Sequence, residues 1–517
     1  MTAPFNYTSS LVKGAKLFYT RLPLKYSAEQ VLLNMMNKDY SFIAQCEGNF
    51  IIALVHTTSS GEAVTLIKDR FNSQRVLYVQ RGNRLLISNS SSVFPVKKSE
   101  INYTALYQAF TSRILTEHAL QKDVNVVPLN HGLYYDGKQL DLIEVLKCEL
   151  KVLESTKALS NEEALALIKR SLNQTYRALD VDTPIAVLLS GGVDSFILAA
   201  TAQQYFRNIC AYTPTWDDGK NPELARAIRF SEQLGIKHRI IKVTSSDFID
   251  AFKETISVTK VPNRNYSSLV LHRLFDSIEE VHILYGEYAD SLFGSSLIKG
   301  GILDSKYARL SKLIPKFLFP YEFQKMLKKI ERNSPNTLYQ IEEVDDSPIK
   351  QWTVENKIQV DLMPTIKVSN EEFSRINGIS QALHNSCAQH MQEIEASAQL
   401  KEKVIITPFY NQRMLNISNR LDEYQMFGKS GLRISKNFKQ ETRIEVKPLL
   451  KQLASEYIDR DAIYLRKLGF PTPFHVWVKS FEKTLTGELK EKVTSVENIE
   501  TKWSIINLYY LVEKDIQ

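Results

Sequence analysis

The hydrophobic pattern changes character along the chain. Residues 1 to about 150 carry short β-branched or aromatic runs separated by polar turns, a pattern typical of β-strands. These runs cover residues 42–44, 50–55, 63–67, 75–79 and 85–88. A helix is expected over 103–113, and a last hairpin turns at residues 135–138. Residues 1–150 are therefore expected to form one small, β-rich domain with a layered sheet.

A second pattern begins near residue 151, where apolar residues at helical spacing predict a helix over 151–178 with an N-cap at residues 160–163. From residue 185, apolar strands alternate with helices. Strands are predicted at 185–189, 209–213, 239–243 and 281–285, and helices at 195–206, 222–235 and 246–258. This α/β alternation predicts a doubly wound parallel sheet covered on both faces. Residues 300–465 are expected to be mostly helical. Because the pattern changes near residue 151, a second domain is expected over 155–517.

Composition narrows the class of protein. The 517 residues are 44% hydrophobic and 24% charged, as in ordinary globular proteins. No apolar run reaches the length of a membrane span, and the N-terminus lacks the pattern of a secretory signal. The four cysteines are scattered, which argues against disulfides and metal sites and favours a cytoplasmic location. The net charge of +7 is mild, so neither nucleic acid nor a membrane is expected as a partner.

Residues 187–195 carry the most informative pattern, Val-Leu-Leu-Ser-Gly-Gly-Val-Asp-Ser. An apolar strand ends in a double glycine, and a helix begins at once, which suits a phosphate at the helix N-terminus. Gly191 and Gly192 let the backbone approach an anion, and the hydroxyls of Ser190 and Ser195 add donors. Asp194 adds a carboxylate that could hold Mg²⁺. The alternative is a glycine turn that merely connects strand to helix.

Two later segments add charged groups. Residues 285–294, Tyr-Gly-Glu-Tyr-Ala-Asp-Ser-Leu-Phe-Gly, follow an apolar strand at the end where open α/β sheets bind ligands. Glu287 and Asp290 lie in this segment, although acidic residues three apart also occur in solvated turns. Near the C-terminus, Lys467 lies in Arg-Lys-Leu-Gly-Phe-Pro-Thr-Pro, where a fixed cation could balance the charge of leaving pyrophosphate.

These motifs resemble those of a known family. The Ser-Gly-Gly-x-Asp-Ser string resembles the PP-loop of the ATP pyrophosphatases. Residues 180–475 resemble the synthetase domain of asparagine synthetase and its relatives, the β-lactam and carbapenam synthetases and the lasso-peptide cyclases. The resemblance implies a PP-loop domain with a helical extension. It also implies ATP and Mg²⁺ as cofactors, with ATP cleaved to AMP and pyrophosphate.

The resemblance also implies roles for individual residues. Glu287 and Lys467 would be catalytic, and Asp194 and Asp290 would hold Mg²⁺. The nucleotide would contact Leu189, Ser190, Gly191, Gly192, Asp194, Ser195, Thr213, Gly286 and Lys447. Two residues depart from the family signature, Tyr288 in place of glycine and Ser291 in place of glutamate. Residues 407–411, Thr-Pro-Phe-Tyr-Asn, resemble a segment that caps a structural helix, and we interpret them as architecture.

Residues 47–50, 68–71 and 76–78 resemble part of the family's glutamine-hydrolysing domain, which begins with a nucleophilic cysteine. Here Thr2 takes that position, only about 46 residues precede the first of these motifs, and no glutamine-binding segments are found. We therefore expect a degenerate glutaminase-like domain without glutaminase activity, and Cys46 is expected to be a small buried residue. The remnant could support structure or bind a partner protein or a second copy of the chain.

Together these features predict an ATP-dependent ligase that activates a small-molecule or peptide carboxylate as an acyl-adenylate for attack by an amine. Intramolecular lactam closure fits the missing glutaminase, whereas Glu287 fits intermolecular amidation better, because the β-lactam and carbapenam enzymes have a tyrosine there. Residues 258–271 are expected to line the substrate, with Lys260 or Arg264 facing a carboxylate. A tRNA-modifying PP-loop enzyme and a catalytically silent scaffold are the alternatives.

Overall fold

A computed structural model provides the fold. It describes residues 8–12, 15–59, 61–94, 100–102, 105–106, 119–146, 158–216, 221–263, 265–294, 386–428, 431–434, 440–443, 446–464 and 472–513. The predicted helix at 103–113 lies almost wholly outside these residues, and so do Thr2, Arg264 and Lys467.

The N-terminal part is built on an antiparallel sheet that, within the described residues, has six strands in the order β1-β2-β3-β4-β8-β9. Beside it lies a smaller sheet with the order β6-β5-β7. The strands are β1 Thr8–Val12, β2 Ala15–Tyr19, β3 Ile51–Thr58, β4 Gly61–Lys68, β5 Leu77–Arg81, β6 Arg84–Ser88, β7 Asn125–Val126, β8 His131–Tyr135 and β9 Leu140–Glu144. The predicted hairpin at 135–138 joins β8 to β9.

Successive residues of a strand point to opposite faces of the sheet, and the large sheet has apolar residues on both. Both of its faces are therefore packed against other elements. Ile52 and Leu54 of β3 pack with helix α1, Ala28–Met36, whereas Ile51 packs with Val76 and Tyr78 on the side of the small sheet. The result is a layered arrangement of helix, sheet and sheet. Residues 42–44 were predicted to be a strand, which is wrong: they lie in a 3₁₀ turn, Ser41–Gln45. An apolar run this short does not distinguish a strand from a buried turn.

The second part contains a parallel sheet whose order, in the described residues, is β12-β11-β10-β13-β14. Its strands are β10 Ile185–Leu188, β11 Ile209–Trp216, β12 Lys237–Val243, β13 His282–Leu284 and β14 Val404–Ile406. Strand β10 is central, with Ile185 paired to Ile209 on one side and to His282 on the other. Residues 185–187 are fully buried, as expected for a strand covered on both faces. The predicted α/β fold with a parallel sheet is confirmed, while the domain boundaries stay a prediction.

Helices follow the strands at positions close to those predicted. They are α2 Asn161–Tyr176, α3 Val193–Gln203, α4 Leu224–Leu234, α5 Ser245–Thr259, α6 Tyr266–Ser277 and α7 Ala289–Phe293. Helix α3 begins two residues earlier than predicted, directly after Gly192 as its N-cap. Helix α2 begins later than predicted, because Ser160 and Glu163 form a capping box that fixes its start. Residues 158–160 are therefore not helical.

The remaining described elements follow residue 385. They are α8 Ser386–Leu400, α9 Gln412–Ser418, α10 Glu423–Phe427, the hairpin β15 Gly431–Ile434 with β16 Gln440–Arg443, α11 Pro448–Ala454, α12 Arg460–Ile463, α13 Phe474–Thr484, α14 Gly487–Thr494 and α15 Ile499–Leu508. The expectation that 300–465 would be mostly helical misses β14 and this hairpin. Trp477 and Trp503 pack against Phe248 of α5. Among the described residues, no helix is long and apolar enough to cross a membrane.

Strand order places a crevice at the centre of the parallel sheet. The chain moves outward from β10 through β11 to β12, and it then returns to the other side of β10 as β13. Ligands in open α/β sheets bind where the strand order reverses, outside the carboxyl ends of the strands. The turns after β10 and β13 meet at this point, and they carry the candidate site.

Candidate active site

The turn after β10 presents backbone donors at the start of α3. Ser195 Oγ accepts a hydrogen bond from the backbone N of Ser190 at 3.1 Å and donates to the carbonyl of Gly192 at 3.0 Å. The Ser190 hydroxyl accepts from the backbone N of Gly192 at 3.3 Å. These bonds shape the loop around the positive end of the α3 dipole, where an anion is favoured.

Gly191 is required by both its conformation and its surroundings. Its φ is +78°, in the left-handed region, and a Cβ at this position would lie 2.7 Å from the carbonyl oxygen of Glu223. Gly192 is less constrained, with φ −86°. The nearest atom to a Cβ at Gly192 would be the Ser190 hydroxyl, at 3.3 Å. The first glycine therefore closes the turn, and the second leaves open the space in front of the helix.

Thr213 lies on β11, beside the loop. Its hydroxyl donates to the carbonyl of Leu189 and lies 2.8 Å from Nε2 of His238. Burial lowers the pKa of His238, which favours the neutral ring. The carbonyl of Tyr212 accepts from the backbone N of Leu189 at 2.9 Å. These contacts hold Leu189 at the end of β10, directly before the glycine turn.

The turn after β13 lies directly against this loop. A Cβ at Gly286 would lie 3.4 Å from Cβ of Asp194 and 3.5 Å from the backbone N of Ser195. Glycine at this position lets the two turns approach each other closely. The residues after Gly286 are thereby brought to the mouth of the loop, including Glu287 and Asp290.

Lys447 lies between the two aspartates predicted to hold a metal. Its Nζ is 2.5 Å from Asp194 Oδ2 and 2.5 Å from Asp290 Oδ1, and its side chain is 1% exposed. Lys447 has φ +56° and caps helix α11, where Pro448 fixes the first turn. A charged ammonium this deeply buried needs opposite charges around it, and the two carboxylates provide them.

The same convergence fits a divalent cation. Asp194 and Asp290 direct hard oxygen atoms at one point, and Mg²⁺ in nucleotide sites commonly takes one or two carboxylates together with phosphate oxygens. Among the described residues, no three acidic, histidine or cysteine side chains are placed to hold a metal ion together, so substrate phosphates and water would complete the set. A bound cation would compete with the Lys447 ammonium for both carboxylates.

The structure explains why tyrosine can replace the glycine of the family signature at position 288. Its φ of +71° lies in the left-handed region, where glycine is the common residue. The side chain is 1% exposed and stacks on Tyr410, with ring centroids 3.2 Å apart and the planes at 9°. The backbone thus keeps a glycine-like conformation, while the tyrosine ring fills the core beneath the turn.

Sequence reasoning missed His390 of α8, which supports Glu287. Nε2 of His390 lies 3.9 Å from Glu287 Oε2 and 2.9 Å from the hydroxyl of Tyr285. Its Nδ1 lies 2.6 Å from the side-chain nitrogen of Asn265. Burial lowers the pKa of His390, which Glu287 partly offsets. A neutral imidazole is therefore placed beside the carboxylate that is predicted to act on the amine.

Other predicted residues have different outcomes. Asn411 caps α9 by accepting from the backbone N of Met414 at 3.0 Å, which confirms its structural role. Cys46 is buried, as predicted, and burial raises the pKa of its thiol, which disfavours a reactive thiolate. In the predicted substrate wall, Val258 lines a cavity between the two parts of the chain. Lys260 ends α5 in a left-handed conformation.

Comparison with known proteins identifies the family to which the chain belongs. The family model described as asparagine synthase matches residues 167–499, which is more than half of the chain. The chain belongs to the asparagine synthase family. The match covers β10, the turns after β10 and β13, α8 and Lys447.

Individual relatives align over limited stretches. The glutamine-hydrolysing asparagine synthetase 1 of Arabidopsis thaliana is 28% identical over 150 residues, 26% of this chain and 25% of the relative. The amidase chry2 of Gibberella zeae is 22% identical over 285 residues, 49% of this chain and 40% of the relative. The chain thus spans about a quarter of the length of the Arabidopsis thaliana relative and two fifths of the length of the Gibberella zeae relative.

One solved structure shows only weak similarity. A U34-tRNA thiolase from Methanococcus maripaludis has 15% sequence identity and a TM-score of 0.22, covering 50% of this chain and 90% of the thiolase. So low a TM-score supports no inference about this member of the asparagine synthase family.

Proposed function

We propose that the protein is an ATP-dependent amide-forming ligase that activates a substrate carboxylate as an acyl-adenylate and does not hydrolyse glutamine. The observation that supports this most strongly is the meeting of Asp194, Asp290 and Lys447 beside the glycine loop, residues 189–192 between β10 and α3. Such a group of charges suits a triphosphate that loses pyrophosphate. Glu287 lies three residues before Asp290, and its carboxylate is 3.9 Å from Nε2 of His390.

In the first step, an oxygen of the substrate carboxylate attacks the α-phosphorus of ATP, and the bond to the β-phosphate oxygen breaks. The Ser190 hydroxyl and the backbone N–H groups of the first turn of α3 would hold the phosphates at the start of this helix. Asp194 and Asp290 would hold Mg²⁺, which neutralises phosphate charge when it is bound. Lys447, displaced from the carboxylates, would remain close enough to balance the charge of pyrophosphate.

In the second step, an amine attacks the acyl carbon, and AMP leaves. The attacking nitrogen must lose a proton, and Glu287 is the proposed acceptor. The neutral ring of His390, 3.9 Å from Glu287, would help to keep this carboxylate in place. Lys467, which lies outside the described residues, stays a candidate for balancing charge on the tetrahedral carbon.

The nitrogen source is the less constrained part of the proposal. The burial of Cys46, which raises the pKa of its thiol, supports a reaction without glutaminase chemistry. The amine would then be part of the same molecule, as in lactam or macrolactam closure during specialised-metabolite or peptide biosynthesis, or it would be a separate amine. Direct amidation by ammonia is the second candidate, and the carboxylate of Glu287 favours it.

Pyrophosphate release tests the proposal. With Mg²⁺, ATP and a panel of carboxylates, the wild type should release pyrophosphate, and Asp194→Asn should lower the rate at least about 100-fold, as expected for loss of a preorganised charge at phosphate. Asp182→Asn is a matched control, since Asp182 is an exposed carboxylate paired with Arg207 before β10. Equal rates in Asp194→Asn and wild type would contradict the assigned role of Asp194. No ATP binding and no release with any substrate would favour a silent scaffold.

Mass spectrometry distinguishes ammonia from an amine as the nitrogen source. When ¹⁵N-labelled ammonium is present, intermolecular amidation by ammonia places ¹⁵N in the product. Ring closure gives a product that has lost one water and carries no label.

A further inference from the structure

A small cavity lies between the N-terminal sheets and helix α8, away from the glycine loop. Its volume is about 60 Å³, several times the roughly 10–15 Å³ that one water molecule requires. On the N-terminal side it is lined by Gln74, Arg75 and Asn89, and on the opposite side by residues of α8, including Gln392, Glu393 and Ala396. The two parts of the chain therefore build this cavity jointly.

Arg75 gives the cavity an unbalanced positive charge. The residue is 8% exposed, and neither Nε nor Nη2 has a hydrogen-bond partner among the described residues. Burial lowers the pKa of the Arg75 guanidinium to about 10, so the group still carries its charge at neutral pH. A buried charge without hydrogen bonds is costly, and proteins normally provide a partner or bind one.

Most polar side-chain groups that line the cavity beside Arg75 form hydrogen bonds or ion pairs with other residues. Asn89 donates to Gln399 at 2.9 Å, and Gln399 donates in turn to Gln74 at 2.9 Å. Glu395 pairs with Arg21 at 3.3 Å and accepts from Asn49. Oδ1 of Asn89, another lining residue, also has no hydrogen-bond partner among the described residues. The remaining amide groups of this chain and the Glu395 carboxylate are hydrogen-bonded, and they leave the guanidinium edge to the cavity.

The other acidic group of the lining, Glu393, is also held away from Arg75. Its carboxyl accepts from the Ser268 hydroxyl at 2.7 Å and from Gln389 at 3.4 Å. Burial raises the pKa of Glu393 to about 7, so near neutral pH it carries only part of a negative charge. An anion in the cavity would therefore meet the full charge of Arg75 and a weakened repulsion from Glu393.

We propose that this cavity is a binding site for a small carboxylate, held side-on by Nε and Nη2 of Arg75. These two N–H groups lie on the same edge of the guanidinium, and they match the two oxygens of a carboxylate in a bidentate pair. The volume limits the ligand to a few heavy atoms beyond the carboxylate. The site is separate from the amide-forming reaction proposed above, and it holds or fails independently of that reaction.

Acetate is the probe that tests the site. Thermal unfolding of the full chain is followed against acetate concentration, with sodium chloride keeping the ionic strength constant. The wild type should show a saturable rise in Tm, since a ligand that binds only the folded state stabilises it. Arg75→Lys keeps a charge but loses the fork, and it should weaken the apparent affinity by about tenfold or more.

Two further variants keep the test decisive if Arg75→Lys folds poorly. Ala396→Leu places a larger side chain in the cavity without altering Arg75, and it should abolish the acetate effect. Arg177→Lys, at an exposed arginine that ends α2, should respond as the wild type does. The proposal is overturned if wild type shows no saturable effect, if chloride alone stabilises as much as acetate, or if Ala396→Leu responds fully.

Discussion

At the scale of single residues, Tyr288 sets two physical effects against each other. Its left-handed φ of +71° costs about 1 kcal/mol, which a glycine would not pay. Its buried ring, stacked on Tyr410, contributes more, because removing a large aromatic side chain from a core costs about 3–5 kcal/mol. Packing should therefore outweigh strain, and Tyr288→Gly should lower the free energy of unfolding by about 2–4 kcal/mol, as measured by urea denaturation.

Tyr288→Phe is the matched control for this experiment. It keeps the ring and the backbone strain, and it should lower the unfolding free energy by less than about 1.5 kcal/mol. A Tyr288→Gly variant as stable as the wild type would mean that strain and packing are balanced at this turn, contrary to the expectation.

Residues within one motif were predictable, and residues from distant segments were not. Gly191, Asp194 and Asp290 follow from turn chemistry at strand ends, and the structure brings them to one crevice. His390 had no such signal, since it lies about 100 residues after Glu287 and approaches it only through the packing of α8. The family resemblance placed Lys447 among the residues that contact the nucleotide, but it did not indicate that its Nζ lies between the carboxylates of Asp194 and Asp290. Long-range approach is a property of topology, which local patterns do not contain.

At the scale of elements, the glycine loop joins β10 to α3 through two glycines that have different structural roles. Gly191→Ala would place a Cβ 2.7 Å from the Glu223 carbonyl in a residue with positive φ. We expect it to destabilise the chain by about 2 kcal/mol or more and to lower ATP affinity, because both strain and overlap must be relieved. Gly192→Ala meets only the movable Ser190 hydroxyl, so its unfolding free energy should stay within about 1 kcal/mol of wild type.

The pair is checked by denaturant unfolding together with ATP titration. Gly192→Ala should still weaken ATP binding, since its Cβ would project in front of the helix where phosphate is expected. Equal losses of unfolding free energy in the two variants would contradict the conclusion that only Gly191 is required for the backbone conformation of the loop.

Elements with strong periodicity were predictable, and short ones were not. The central strands and helices of the parallel sheet agree with prediction to within a few residues, because buried strands and amphipathic helices leave clear patterns. Strand β14 has three residues and lies within a stretch expected to be helical. Only its place beside β13 makes it a strand, with Leu284 paired to Ile406.

At the scale of the whole molecule, specific contacts join the N-terminal sheets to the part of the chain that contains the parallel sheet. Arg21 pairs with Glu395 of α8, and the Thr175 hydroxyl of α2 donates to Glu47 at 2.8 Å. The Tyr410 hydroxyl donates to the carbonyl of Phe71 at 2.9 Å. Because all of these partners except the partly exposed Arg21 are buried, separating the two parts would leave polar groups and a carboxylate without partners. The two parts are therefore expected to unfold together.

The distribution of tryptophan lets this coupling be measured. All four tryptophans lie after residue 158, so their fluorescence follows the unfolding of the part that contains the parallel sheet. Leu54→Ala, in the core of the N-terminal sheet, should cost about 2–5 kcal/mol and should shift the fluorescence-detected midpoint as far as the midpoint from far-UV circular dichroism. Leu33→Ala, at a leucine of α1 that is 54% exposed, should shift neither by more than a small amount. If Leu54→Ala leaves the fluorescence transition unmoved, the N-terminal sheets unfold independently, and the contacts at Arg21, Glu47 and Phe71 do not couple the two parts.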